Sequence, residues 1–318
     1  MTLDSISQQL PPDITDSREH FAQRCLSLAK SHQYNDVSRF FRGIDVSGSG
    51  PLTASGRDKK PVPTILVPGL SGDTVSALVG PFMCARDEIA VRGYTTRVVW
   101  LNGRTGCDDN AATLRDKVLQ AADSYSSKVN LIGYSKGCAD SLHMIANYPE
   151  THECVASLVS LGGIVWGSKL ADSTPTWLRK LVQYIPLPGS AFGDGKAIRD
   201  LSCQFREEWM RETTLPSTIR YASVAAVPTP ERVSRVLRGT YRKLSLHSIH
   251  NDSQVVYNDT LLPNGELLAT VNADHWAIAL PFSRRWTAPL TGFLINQNDF
   301  PRTLLLQAII DHVTDRRL

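Results

Sequence analysis

Cysteine is scarce in this chain: Cys25, Cys84, Cys107, Cys138, Cys154 and Cys203 are the only six in 318 residues, and none forms a CxxC pair. That spacing argues against a disulfide framework and makes buried free thiols the expectation. A surplus of charge is also missing, because 34 basic and 31 acidic side chains leave a net +3. So small an imbalance over so large a surface is no footprint for nucleic acid. No apolar run approaches the ~18 residues needed to span a bilayer. The opening MTLDSISQQLPPDITDSREH has neither the basic start nor the apolar centre of a secretory signal. The expectation is a cytoplasmic globular chain without an integral membrane segment. With 21 glycines and 18 prolines, collagen-like and low-complexity readings fail as well.

What is present is enough apolar material, 42 %, for a large core, in a length that suits one large domain or one domain with an insertion. Residues 1–60 read as an N-terminal extension. It holds a helix near Ser17–Ser31, a second short helix near Asn35–Arg42 and a turn-rich linker up to Pro61. From Pro61 onward, short β-branched apolar runs alternate with helical ones. Strands are predicted at Thr64–Val67, Thr96–Leu101, Val129–Ile132, Ala156–Leu161, Ile219–Ala225 and Leu267–Val271. Helices are predicted near Pro81–Arg92, Asn110–Ser124 and Lys136–Asn147. In the second of these, Ala111, Leu114, Val118, Leu119 and Ala122 form one buried face. Alternation of this kind predicts an α/β domain over 61–318 with a mostly parallel sheet flanked by helices. Residues 166–217 interrupt it by more than one crossover helix needs, and long excursions of this sort arise at the loop ends where ligands bind. They read as a helical lid or cap.

Within VNLIGYSKGCADSLHMIA lies Gly133-Tyr134-Ser135-Lys136-Gly137. A G-x-S-x-G string alone occurs by chance in roughly one chain of this size in ten. Here it follows an apolar strand and runs straight into a helical pattern, the setting of a nucleophile elbow. A serine needs a base to take its proton. Of eight histidines, His20 and His32 lie in the extension, His143 on the helix after the elbow, His152 in a surface turn and His312 in the C-terminal helix. His275, in NADHW just beyond the last predicted strand, leaves the same sheet edge as Ser135 and is the expected base. The acid that fixes its tautomer should lie between the two in sequence. Asp252 is favoured, Asp259 comes second, and Asp274 adjoins the histidine. For an oxyanion the backbone N–H of Lys136 is one donor, and the N–H of Leu70, in VPGLSGD after the first core strand, is the other. His247, His250 and Asp252 lie close together but match no standard zinc pattern, so no metal is expected.

These motifs, VPGLSGD, GYSKG, HNDSQVV and NADHW in that order, resemble the α/β-hydrolase superfamily, and within it the lipase and carboxylesterase-like serine hydrolases. The resemblance spans roughly residues 61–318. It implies an oxyanion donor, a nucleophile, an acid and a base in turn, and no cofactor. The expected activity is hydrolysis of a small-molecule or lipid carboxylic ester through an acyl-enzyme on Ser135, Asp252 and His275. Acyl transfer or thioester hydrolysis by the same triad is the alternative, and a non-catalytic binding module is a third. Trp177, Leu181 and Ile185, with Leu178 and Val182, form an apolar stripe in the lid segment that could pack on the domain, line an acyl pocket, or both.

Overall fold

The structure, a computed structural model, describes residues 10–44, 61–69, 80–174, 194–280 and 299–315. Seven strands form one sheet: β1 (Thr15–Asp16), β2 (Thr64–Val67), β3 (Thr96–Val98), β4 (Val129–Tyr134), β5 (Val155–Leu161), β6 (Arg220–Ala226) and β7 (Glu266–Val271). Their order is β1-β7-β6-β5-β4-β2-β3, and every pairing is parallel. Parallel strands need crossovers that cover both faces. The covering helices include α1 (Arg18–Ser31), α2 (Met83–Val91), α3 (Cys107–Tyr125), α4 (Lys136–Asn147) and, after the last strand, the helix Arg302–Thr314.

The inner strands show why they are strands. β2 and β4 are buried at every position, and their side chains alternate between the two layers. Leu66 and Ile132 enter a core with Phe21, Ile89 and Leu305, from α1, α2 and the C-terminal helix. Ile65 and Leu131 enter the opposite core with Leu114 and Leu142, from α3 and α4.

Some boundaries differ from expectation for identifiable reasons. β3 is an edge strand and closes at Val98, not Leu101, with Trp100 38 % exposed. α3 starts earlier than Asn110, because carboxylates from a distant segment satisfy its first amides: Asp194 accepts from Gly106 N and Asp200 from Cys107 N, both at 2.9 Å. The expected helix at 35–42 contracts to a single 3₁₀ turn, Ser38–Phe40. There Asp36 takes the Ser38 N–H and hydroxyl, a local bond that competes with helix propagation. β1 has no counterpart among the predicted strands, and it pairs with β7.

The path through the sheet reverses after β3. β2 lies between β3 on one side and β4 on the other, so the connections leaving β2 and β4 diverge at their C-terminal ends. That divergence opens the crevice in which ligands of open α/β sheets bind. The excursion between β5 and β6 contains α5 (Lys169–Asp172), α6 (Ala197–Asp200) and α7 (Cys203–Glu212) among the described residues. No helix of the described residues is long and apolar enough to cross a membrane.

Candidate active site

Ser135 stands between the last residue of β4 and the first of α4, with φ 55° and ψ −126°. A positive φ is costly for a residue with a Cβ and persists only where its surroundings enforce it. The flanking glycines allow this packing. A Cβ on Gly133 would lie 2.5 Å from Cys138 Cα, and one on Gly137 would fall inside the Val67 carbonyl oxygen of β2. α4 can therefore start tight against the neighbouring strand, with Ser135 at the tip of the turn. Gly69, in the loop after β2, approaches from the other side. A Cβ there would be 2.7 Å from Ser135 Cβ, 3.1 Å from its Oγ and 3.2 Å from Lys136 N. Leu70, the next residue, lies outside the described residues, as do Trp177, Leu181 and Ile185.

His275 sits in the loop after β7, and its Nδ1 is 2.6 Å from Asp252 Oδ2, with both side chains buried. The other oxygen of Asp252 accepts from Gln254 N at 2.8 Å and Val255 N at 2.7 Å. A backbone bond from His275 N to Asp252 O, 2.8 Å, ties the two loops together. Both carboxylate oxygens of Asp252 are thus occupied, one by His275 and the other by the two backbone amides. Tyr134, inside the GYSKG string, donates its hydroxyl to His275 O at 2.8 Å and stacks on the imidazole at 4.9 Å. Gly162, at the end of β5, backs the pair: a Cβ on it would come 3.3 Å from Asp252 Oδ2 and 3.6 Å from His275 Nδ1. Neither residue announces this role in sequence, since Tyr134 is the last residue of β4 and Gly162 the first after β5, and what each touches is remote along the chain.

The other carboxylates serve elsewhere. Asp274 shapes the loop carrying His275, accepting from Ser234 N at 2.6 Å, Ala277 N at 2.9 Å and Trp276 N at 3.1 Å. Burial pushes its carboxyl above the usual range. Asp259 contributes its carbonyl to Val165 N and Trp166 N, and burial raises its carboxyl to about 6 against the pull of Lys169. His143 is buried on α4, 2.8 Å from Asp108 and stacked on Trp209 of α7 at 4.2 Å.

Beneath the turn lies a charged pair that the sequence did not flag. Lys136 Nζ is 2.6 Å from Asp140 Oδ1, one helical turn on, and both are buried. Asn110 Nδ2 donates to the second Asp140 oxygen at 3.0 Å. Burial pushes Asp140 up, and it opposes the Lys136 ammonium too, which the facing carboxylate nevertheless keeps charged. The side chain of Lys136 is therefore turned into the protein, and only its backbone belongs to the crevice.

A serine on a strained strand-to-helix turn at the end of the inner strand β4, in an all-parallel sheet with a His–Asp pair on the loops of the same edge, is an arrangement that fits an α/β-hydrolase. The chain is an α/β-hydrolase of lipase and carboxylesterase-like architecture. It is similar to the metagenomic carboxyl esterase MGS0156, with 29 % identity over 98 % of this chain and 99 % of that one and a TM-score of 0.86. It also shares its fold with the mature form of the Bacillus licheniformis lipase BlEst2, at 22 % identity and a TM-score of 0.60, over 81 % of this chain and 94 % of that one. No protein-family model matches the chain, and no curated protein matches its sequence.

Proposed function

We propose that the protein is a carboxylic ester hydrolase working through an acyl-enzyme on Ser135, with His275 as base and Asp252 as acid. The observation that carries this is the 2.6 Å contact between His275 Nδ1 and Asp252 Oδ2 on the edge that bears the strained Ser135. The similarity to a carboxyl esterase along nearly the whole chain supports the same reaction class.

With its Nδ1 proton directed at Asp252, the imidazole presents Nε2 as the base. Ser135 Oγ attacks the ester carbonyl while His275 takes its proton, and Asp252 stabilises the imidazolium that forms. The oxyanion takes the backbone N–H of Lys136 and, from the loop that Gly69 opens, that of Leu70. As the C–O bond breaks, His275 returns the proton to the leaving alcohol. Water, activated by the same histidine, then releases the acid. The apolar stripe read at Trp177, Leu181 and Ile185 favours an apolar acyl group. A cytoplasmic setting is part of this reading, in keeping with six cysteines all carried as free thiols.

A fluorophosphonate probe tests the nucleophile. It should label one serine stoichiometrically, and Ser135→Ala should abolish labelling and ester turnover together without altering the thermal transition. Full labelling of Ser135→Ala would remove Ser135 from the mechanism. Product analysis with an added alcohol would show free acid under this reading and a new ester if acyl transfer dominated.

A further inference from the structure

Between β6 and Asp252 the chain carries an unusual surface. Residues 232–251 include Arg232, Arg235, Arg238, Arg242 and Lys243 but no aspartate or glutamate, in a protein whose whole net charge is +3. The central part is helical: a 3₁₀ turn at Arg235–Leu237 leads into α8 (Arg238–Ser245), and backbone bonds from His247 and Ser248 to Leu244 O continue the turn. On such a path residues three and four apart share a face. Leu237 and Leu244 are buried and hold the segment to the body. Arg235, Arg238, Arg242 and Leu246 follow one another at that spacing on the outer side, and all are exposed, as is Ile249 in the bend just beyond. Leu246 is 85 % exposed, Val236 47 % and Ile249 45 %. Among the described residues Arg238, Arg242 and Lys243 enter no ion pair.

The surface belongs to the rim of the candidate site. Asn251, next to Asp252, donates its side-chain amide to Ser245 Oγ at 3.2 Å and to Ser248 O at 2.9 Å. Ser234, just before the 3₁₀ turn, donates its N–H to Asp274 beside His275.

We propose that this basic, aliphatic-tipped face docks the protein on an anionic lipid surface, with the crevice turned toward the lipid. The proposal rests on the ester-hydrolase reading and deepens it, by naming an aggregated lipid as the form in which substrate is met. Arg238, Arg242 and Lys243, which enter no ion pair among the described residues, match an anionic headgroup layer, and the aliphatic tips can enter the boundary beneath it. A single-stranded nucleic acid would instead call for aromatic platforms, and this face presents aliphatic side chains.

The test uses vesicles of ether-linked lipids, which cannot be hydrolysed, and the full-length Ser135→Ala protein, so that docking is read without turnover. Co-sedimentation should show salt-sensitive binding to phosphatidylglycerol-containing vesicles and little to pure phosphatidylcholine. The triple variant Arg238→Gln/Arg242→Gln/Lys243→Gln should lose on the order of 100-fold in partitioning, about fivefold per charge. Leu246→Ser should weaken binding several-fold and leave the salt sensitivity in place. Equal binding by the triple variant overturns the proposal, as does no binding to anionic vesicles at low salt. Capture by an acidic polymer but not by vesicles also overturns it, in favour of a macromolecular partner. Turnover of a water-soluble ester is read in parallel. Equal turnover in the wild-type and triple-variant proteins, with docking lost only in the latter, supports the proposal, whereas no turnover in the wild type overturns the ester-hydrolase reading alone.

Discussion

Asp252 and Asp259 are seven residues apart and both largely out of water, yet their surroundings assign them different work. Asp252 accepts two backbone amides on one oxygen and faces His275 with the other. Asp259 has no such cradle, and burial lifts its carboxyl to about 6. Asp252→Asn should therefore cost turnover on the order of 10³–10⁴-fold through loss of tautomer control. Asp259→Asn should leave turnover nearly unchanged and act on stability. A carboxyl raised on folding favours its neutral form, so its contribution is present below the unfolded value and is lost as pH climbs through about 6. The asparagine cannot ionise, so Asp259→Asn should melt above wild type at pH ~7 and beyond, the difference vanishing near pH 4. Melting curves at the two pH values, with initial rates alongside, check both halves. The reverse ranking of rates would make Asp259 the acid.

At the scale of the element, α4 begins over a buried ion pair, and the energetics of that pair are asymmetric. Removing one partner strands the other charge away from water, at a cost of about 3–5 kcal/mol, whereas replacing both by apolar groups of similar volume is often neutral or stabilising. Asp140→Leu should accordingly be strongly destabilising in urea unfolding, and Lys136→Met/Asp140→Leu should recover most of the loss. Additive losses would mean that the two side chains act separately. This pair also marks where sequence reading stops. The i, i+4 spacing was visible, but a lysine on a helix ordinarily faces solvent, and only the crossing of α3 with Asn110 turns this one inward. The elements that were legible, such as β2, β4 and α4, are long or buried along their whole length, with glycines close by in sequence. Those that were not depend on remote partners: β1 is two residues held by β7, and the start of α3 is fixed by Asp194 and Asp200. Ser135, His275 and Asp252 could be singled out because strand ends and chain order constrain them. Tyr134 and Gly162 could not, because what each touches lies far away in sequence.

Across the whole molecule, the two edges of the sheet divide the labour. The C-terminal edge carries Ser135, Asp252 and His275. The opposite edge carries a polar network joining the chain's beginning to its end: Ser17 donates to Glu266 at 2.9 Å, Arg220 to Glu266 at 2.7 Å, and His312 lies 3.1 Å from the same carboxylate. Burial works against the Glu266 charge, but the hydrogen bonds from His312 and Arg220 outweigh it and hold the carboxyl far below the usual range. Segment 15–31 is therefore an extension by sequence and a load on the core by packing. Phe21 and Ala22 are wholly buried and Cys25 nearly so, against the C-terminal helix and β7. Truncating one buried Phe alone costs about 3–5 kcal/mol, and the entire stability of a domain is about 5–15 kcal/mol. Losing Phe21, Cys25, Ala29 and the β1 pairing together should exceed it. A chain beginning at residue 61 should then be recovered aggregated, or without a cooperative thermal transition and without fluorophosphonate labelling, although it keeps every candidate site residue. Phe21→Ala in the full-length protein should remain folded at 25 °C, with a Tm lowered by several degrees and an unchanged rate per labelled site. If instead the chain from residue 61 melted cooperatively near the wild-type Tm and turned over ester normally, the N-terminal segment would be an appendage, and the 61–318 portion would be a domain in its own right.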